Sequence, residues 1–245
     1  MRLHIYFFTV AALLWIGLFH NLTPALAEST ISCPSGEYDM LDWMTMDSDL
    51  RSGHYMVGSA NPIYTDMLSG KFYWTKSGIG YPWDIQLYDN DFIYLWITEL
   101  DWNNPKTFKK FSFNTNLPLA PRCAKGGFPG SAIRISNTSY QTYTDCTHYT
   151  TQNLKYGVNE VWGPYTLSFG GNIPNNTKTL VVSYRYNCDS SYGNCGDKEE
   201  YYLTQRYGLA QWVHYRQVSG VYQQQQKSVF NTIKTGSARP VFTCF

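Results

Sequence analysis

The chain lacks the residue spacings that mark most metalloproteins and histidine-based enzymes. It has five histidines, and no His-x-His, His-x-x-x-His or Cys-x-x-Cys spacing is present. Zinc sites and metal-dependent hydrolases normally show such spacings. His54, His148 and His214 follow the N-terminal segment, and we expect structural or surface roles for them, with His214 on an exposed strand face. The sequence indicates no cofactor.

An excess of charge of either sign is also absent. The chain has 19 basic and 18 acidic side chains, and loss of Arg2 with an N-terminal segment would leave 18 of each. A neutral chain has no broad positive field for a phosphate backbone or for anionic lipid headgroups. The composition therefore argues against nucleic acid and against a membrane surface as the main partner.

One long apolar run occurs, and it lies at the N-terminus. Residues 5–19 are apolar, Arg2 precedes them, and residues 25–27 have the small-x-small pattern of a signal-peptidase site. The run is short for a membrane span of about 20 residues, and His20 and Pro24 follow it. We predict a signal peptide over residues 1–27, a secreted, periplasmic or extracellular location, and no membrane insertion after its removal.

Aromatic residues are abundant, at 17% of the chain with 21 tyrosines. Such residues pack well on pleated surfaces. Segments rich in strand-forming residues and separated by turn residues predict hairpins at residues 84–101, 180–203 and 208–233, the last with Ser219 and Gly220 at its turn. We therefore expect residues 28–245 to form a single-domain antiparallel β-sandwich or jelly roll.

Helical patterns are rare in this chain. Leu154, Val158 and Val161 recur at helical intervals within residues 151–162, which predicts one short helix although Gly157 weakens the pattern. Residues 39–49 fit either a helix or a strand. The expected fold is therefore all-β with one short helix.

All six cysteines follow the predicted signal peptide, which favours disulfides over metal ligands. One pair flanks the Ser-, Gly- and Asn-rich loop of the second hairpin, so a local bridge is expected there. The other pairs represent one choice among many possible connectivities. The expected set is Cys188–Cys195, Cys123–Cys146 and Cys33–Cys244.

The densest cluster of aromatic and polar residues lies at residues 78–84. Its glycines and Pro82 predict a rigid bend that holds aromatic rings outward. Sugar rings could stack on these rings while acids and amides bind their hydroxyl groups, although the rings could also simply fill the space between sheets. The candidate ligand-binding residues are Tyr81, Trp83, Asp84, Gln86 and Trp102. We expect a secreted module that binds a carbohydrate or another surface polymer.

A polysaccharide-degrading hydrolase or lyase is the first alternative. Glycoside hydrolysis needs two carboxyl groups within about 5–9 Å of each other. The candidates are the strand-end acids Asp84, Glu99, Asp101 and Glu199, and at least two of them would have to converge in one cleft. On a strand, Glu199 would share a face with Tyr201.

The remaining alternatives need no catalysis. Residues 47–49 and 89–91 each present two Asp side chains that could bind calcium, although Asp is also an ordinary turn residue. The chain could also be a structural or adhesive protein without a small ligand. A large exposed apolar patch and self-association would mark such a protein.

Overall fold

The computed structural model describes residues 31–51, 54–58, 63–68, 71–76, 82–98, 107–111, 117–128, 130–236 and 244. The predicted signal peptide lies outside these ranges. The helices are α1 (Met40–Met44) and α2 (Ser48–Arg51). The strands are β1 (Glu37–Asp39), β2 (His54–Gly58), β3 (Ile63–Leu68), β4 (Lys71–Lys76), β5 (Pro82–Tyr88), β6 (Phe92–Thr98), β7 (Phe108–Phe111), β8 (Leu117–Pro121), β9 (Cys123–Lys125), β10 (Ala132–Tyr143), β11 (Tyr149–Leu167), β12 (Thr177–Cys188), β13 (Cys195–Thr204), β14 (Gly208–Val218) and β15 (Val221–Thr235).

Thirteen of these strands form one antiparallel sheet that closes on itself. Their order is β5-β4-β3-β2-β15-β14-β13-β12-β11-β10-β7-β6-β8, and an additional pairing between β5 and β6 closes the ring. Strands β1 and β9 form a separate two-stranded sheet. Most paired strands are neighbours in the chain, because their connections are short. The prediction of an all-β, antiparallel, disulfide-stabilised fold is confirmed.

The main hydrophobic core lies inside the ring. Ile93 of β6 and Leu119 of β8 belong to the same buried cluster as Leu180 of β12 and Leu203 of β13. These pairs of strands are far apart in the sheet order, but they pack against each other across the interior. The two sides of the ring therefore meet face to face, as the two layers of a sandwich do.

The three predicted hairpins are present. Strand β5 pairs with β6, β12 with β13, and β14 with β15. Ser219 and Gly220 connect the last pair with φ angles of 52° and 81°, as a tight hairpin turn requires. Turn residues in the sequence therefore place these strands correctly.

The helix predicted at residues 151–162 is wrong. These residues lie in β11, which pairs with β10 and β12. Val158 packs in an outer cluster with Cys188, whereas Val161 packs in the main core. Because both faces of β11 are covered here, its apolar residues do not alternate and resemble a helical interval. Helices α1 and α2 instead begin within the ambiguous segment at residues 39–49.

The predicted local disulfide is confirmed. Cys188 bonds to Cys195 and closes the β12–β13 hairpin. All six cysteines are in disulfides, which fits a chain that folds in an oxidising compartment. Among the described residues, no helix has the length and apolar character needed to cross a membrane.

The other two predicted disulfides are wrong. Cys33 bonds to Cys123, and Cys146 bonds to Cys244. The two bridges span 90 and 98 residues of sequence. The first joins the residues just before β1 to β9, which already pairs with β1. Long-range bridges depend on which strands the fold brings together, and turn composition does not reveal this.

Helix α1 fills one end of the interior. Met40, Leu41, Trp43 and Met44 are each at most 3% exposed, and the helix packs against β13 and β14. A helix of five residues is not stable in water on its own, because nucleation is unfavourable. Its position therefore depends on burial and on whatever anchors its ends.

A buried ion pair provides that anchor. Asp39 caps α1 by accepting a hydrogen bond from the N–H of Leu41 at 3.0 Å. Its carboxylate also accepts hydrogen bonds from Nε and Nη2 of Arg122, at 2.5 and 2.9 Å. Arg122 is 1% exposed and donates from Nη1 to the carbonyl oxygen of Asp89 in the β5–β6 turn. One guanidinium thus ties the start of α1 to the turn that closes the ring.

We expect Arg122→Met to lower the free energy of unfolding by about 3–5 kcal/mol, because it leaves the Asp39 carboxylate without its buried partner. The matched control is Arg206→Met, whose exposed pairs with Asp47 and Asp49 should contribute less than about 1 kcal/mol. Urea unfolding followed by circular dichroism measures both variants. Equal, small losses for the two variants would show that the buried pair does not anchor α1.

Candidate functional site

The interior of the ring contains a cavity of about 350 Å³. It lies away from α1. The chain just after α1 meets the β13–β14 turn, where Met46 pairs with Tyr207. The cavity instead lies beside Glu199 and His214, several residues farther along the same two strands. The ring is thus filled by a helix toward one end and holds a cavity toward the other.

Strand alternation decides which side chains reach the cavity. In β13, Glu199 and Tyr201 face inward, opposite Tyr184 of β12 and Trp212 of β14 respectively. Glu200 faces outward and lines a groove on the other side of the sheet. Glu199 and Tyr201 therefore share a face, as the period of a strand predicts.

A β-bulge in β6 brings two further side chains to the cavity. The pairing steps from Ile85↔Ile97 to Gln86↔Leu95, so β6 has one extra residue at this point. Leu95 and Thr98 consequently both line the cavity, although a regular strand would place them on opposite faces. Ile97 turns to the other side and packs with Ile85.

Three neutral donors hold Glu199 in the cavity wall. The Tyr186 hydroxyl donates to Oε1 at 3.2 Å, and the Tyr201 hydroxyl and Trp212 Nε1 donate to Oε2 at 2.7 and 2.9 Å. No lysine or arginine in the described part of the chain forms an ion pair with this carboxylate. Neutral donors stabilise a carboxylate but leave its charge uncompensated. Glu199 therefore contributes a negative charge to the cavity wall.

Asp84 supplies a second carboxylate. It is 2% exposed and accepts the Thr98 hydroxyl at 2.5 Å. Burial raises the pKa of the Tyr201 hydroxyl well above its usual range, and the charges of Glu199 and Asp84 raise this pKa further. Both carboxylates therefore act on the same phenol, and the cavity combines two acids in one place.

Aromatic rings form much of the remaining wall. They belong to Phe111, Tyr140, Tyr184, Tyr186, Tyr201 and Trp212. Tyr184 and Tyr186 are stacked, with ring centroids 4.8 Å apart. Lys109 Nζ lies 5.6 Å from the centroid of the Tyr140 ring, which is a cation–π distance. The wall therefore already places one ammonium group against a ring face.

His214 faces the cavity, so its predicted position on an exposed strand face is wrong. Its Nε2 lies 3.3 Å from Oδ1 of Asp197, and its ring is parallel to that of Trp212. Asn187 is exposed and also lines the cavity, which therefore reaches the surface beside the Cys188–Cys195 disulfide. That disulfide braces the rim of the opening.

The five candidate ligand-binding residues have different outcomes. Tyr81 and Trp102 lie outside the described residues, as does the side chain of Trp83 in β5. Asp84 lines the cavity, and Gln86, on the same face of β5, is 0% exposed. These two residues do not form an exposed shelf, because that face of β5 points into the ring. The ligand-binding role itself stays a prediction.

Two of the four acids considered for an enzyme meet in one place. Asp84 and Glu199 both line the cavity, whereas Glu99 and Asp101 lie outside the described residues. One pair of these acids therefore shares a cavity. Hydrolysis stays a prediction.

The Asp-rich segments considered for calcium form turns and ion pairs. Asp89 accepts two backbone N–H groups of its own turn and the hydroxyl of Tyr94. Asp47 and Asp49 pair with Arg206 at 3.8 and 3.0 Å. Among the described residues, no group of three or more His, Cys, Asp or Glu side chains is arranged to hold a metal ion.

A groove of about 290 Å³ lies on the outer face of the sheet, and we call it the outer groove. Its aromatic and acidic lining residues are Phe128, Trp162, Tyr165, Glu200 and Tyr202. Phe128 is 77% exposed and its ring centroid lies 5.4 Å from that of Trp162. The Phe128 loop is fixed to β11 by backbone hydrogen bonds between Gly127 and Gly163. It therefore presents an aromatic ring from a fixed position.

The cavity residues on β12 and β14 were not identified from the sequence. Tyr184, Tyr186 and Trp212 lie in predicted strands, but only the pairing register places them around Glu199. One signal was available, since Tyr184 and Tyr186 alternate on one strand as Glu199 and Tyr201 do on the next. Two neighbouring strands with a polar aromatic face indicate an interior that is not purely apolar.

We expect the free energy of unfolding to fall as the pH rises above about 10. Burial raises the pKa of Tyr186, Tyr201 and Tyr202 above the ordinary value of 10.0, and nearby carboxylates add to the shift. These phenols stay neutral in the folded state while the unfolded chain ionises, so their contribution is complete below pH 10 and is lost at higher pH. In absorbance titrations, part of the tyrosinate signal should appear only as the circular dichroism of the fold is lost. Ionisation of all tyrosines near pH 10 with the fold intact would contradict this expectation.

The chain matches no family model, and no curated protein and no solved structure shows significant similarity to it. The cavity and the outer groove are therefore the basis on which its function can be inferred.

Proposed function

We propose that the protein is an exported binding protein that holds a small ligand in its interior cavity. The observation that carries the proposal is the cavity, about 350 Å³ in volume, with aromatic walls and a few fixed polar groups. Sites for small molecules typically have this size and composition. Three disulfides and the predicted signal peptide support export.

The fixed polar groups favour holding a ligand over converting it. Glu199 accepts three hydrogen bonds from its own protein, and Asp84 accepts one from Thr98. All six cysteines are in disulfides, so they offer no thiolate nucleophile. Carboxylates held rigidly by neighbouring side chains are suited to orienting a ligand.

The test measures whether small molecules stabilise the fold through the cavity. Glucose, maltose, octanoate, choline and tyramine are titrated separately while thermal unfolding is recorded. A cavity ligand at 100 times its dissociation constant should stabilise the fold by about 2.7 kcal/mol, which corresponds to a Tm shift of roughly 5–10 °C. Failure of every compound in this panel to shift the Tm would count against the proposal.

Two substitutions on one strand localise the effect. Leu95→Phe adds volume at a residue that lines the cavity, whereas Ile97→Phe adds it on the opposite face of β6. Ile97→Phe should cost about 1–3 kcal/mol of stability through overpacking, because Ile97 is fully buried in a packed cluster. Only Leu95→Phe should raise the dissociation constant of the ligand, by at least about tenfold. Equal weakening by both variants would place the ligand elsewhere.

Carbohydrate binding at the outer groove is a second candidate function. It is favoured by Phe128, whose exposed ring lies beside Trp162 and Tyr165 and near the acid Glu200. Nε1 of Trp162 is buried and has no hydrogen-bond partner within the described structure. Exposed rings beside hydrogen-bonding groups are suited to the C–H faces and hydroxyl groups of sugars. The sequence predicts such rings at residues 78–84 and does not identify this groove.

We expect Phe128→Ala to abolish retention of the protein on chitin or microcrystalline cellulose, because the exposed stacking surface is lost. Tyr149→Ala is the matched control, since Tyr149 is an exposed ring outside the outer groove. Pull-down with each insoluble glycan measures retention. Retention that survives Phe128→Ala, or a parent protein that binds neither glycan, would remove this candidate.

A further inference from the structure

Glu199 in the cavity wall is held by neutral groups alone among the described residues. Among the described residues, the wall contains two carboxylates, Asp84 and Glu199, and one lysine, Lys109. His214 is engaged by Asp197 at 3.3 Å. The three donors to Glu199 are all neutral, so among the described residues no cation pairs with this carboxylate, which lies within a partly desolvated space. A positive group on the ligand would gain more there than it would in water.

The aromatic wall suits the same kind of group. Tyr186, Tyr201 and Trp212 surround the Glu199 carboxylate and donate hydrogen bonds to it. Ring faces attract ammonium groups, and Lys109 already lies at such a distance from Tyr140. An anionic ligand would instead meet two carboxylates.

Gln86 gives an independent sign of a missing polar partner. It is 0% exposed, and both polar atoms of its side chain lack a hydrogen-bond partner within the described structure. It shares a face of β5 with Asp84 and pairs with Leu95, and both of these residues line the cavity. A buried amide without partners is destabilising and rare. Gln86 lies next to the cavity lining without belonging to it, so its amide makes this part of the interior polar.

We propose that the ligand of the cavity is a small organic cation, with an ammonium group carried on a compact aromatic or hydroxylated body. This inference rests on the proposed binding function and names the ligand class. The ammonium group lies against Glu199 and the surrounding rings, and the body of the ligand occupies the remaining space toward Asp84.

Three probes of nearly equal shape and different charge test the inference. Tyramine carries an ammonium group, para-propylphenol has a methyl group in its place, and para-hydroxyphenylpropionate has a carboxylate there. Isothermal titration calorimetry of the parent protein at neutral pH compares their dissociation constants. We expect tyramine to bind at least about tenfold more tightly than para-propylphenol, and the anion to bind most weakly.

A pair of charge-matched variants assigns the preference to Glu199. Glu199→Gln should reduce the preference for tyramine over para-propylphenol to about twofold or less. Glu160→Gln removes one negative charge from the outer face, where Glu160 pairs with Arg185, and should keep the preference of the parent protein. Asp84→Asn is a second cavity variant, for use if Glu199→Gln does not fold. Its preference for tyramine over para-propylphenol is also expected to fall.

The outcomes separate this inference from the proposed function. Binding of para-propylphenol as tight as that of tyramine overturns the cation inference and leaves a cavity that binds small molecules. The same holds if none of the three probes binds while glucose, maltose or octanoate does. If no compound in either panel binds, both the inference and the proposed function fail. A preference that survives in Glu199→Gln and Asp84→Asn places the cation outside this cavity and also overturns the inference.

Discussion

The ion pair between Arg122 and Asp39 is the contact on which the arrangement of the interior depends. It joins the N-terminal cap of α1 to the β5–β6 turn, and β5 and β6 are the strands whose pairing closes the ring. A ring of strands with a polar cavity has fewer apolar contacts than a fully packed core. The short helix α1, buried at four of its five residues, compensates by filling one end with apolar side chains. Because five residues cannot hold a helix alone, a specific buried anchor is needed.

The same strands present two different environments on their two faces. Glu199 points inward, where tyrosines and a tryptophan hold it without a cation, while Glu200 points outward and accepts Lys198 Nζ at 2.7 Å. The outer acid is therefore neutralised locally and the inner one is not. Of these two adjacent residues, Glu200 therefore has a structural role and Glu199 a candidate binding role. The period of two along the chain is sufficient to produce this difference.

The sequence predicts those parts of the fold that depend on nearby residues. Hairpin turns such as Ser219 and Gly220, and the local Cys188–Cys195 bridge, follow from composition within a few positions. The helix predicted at residues 151–162 fails because burial on both faces of β11 removes the alternation that marks a strand. The predicted partner of Cys123 is wrong because the correct one, Cys33, requires knowing that β9 lies beside β1. The candidate site also has one part that depends on nearby residues and one part that depends on the fold. The acid at Asp84 could be chosen from its local cluster, but its meeting with Glu199 requires the closed sheet.

The polar groups of the cavity lower the stability of the fold, which indicates that they have a function. Leaving the Gln86 amide without partners and the Glu199 charge without a counter-ion lowers the stability of the free protein, since buried polar groups are normally paired. Replacing such groups with well-packed apolar residues often stabilises a fold. Departures from local consistency concentrate at functional sites. A ligand that places a positive charge beside Glu199 would gain free energy on binding, so the cost of holding this carboxylate among neutral groups and the selectivity of the site would have one cause.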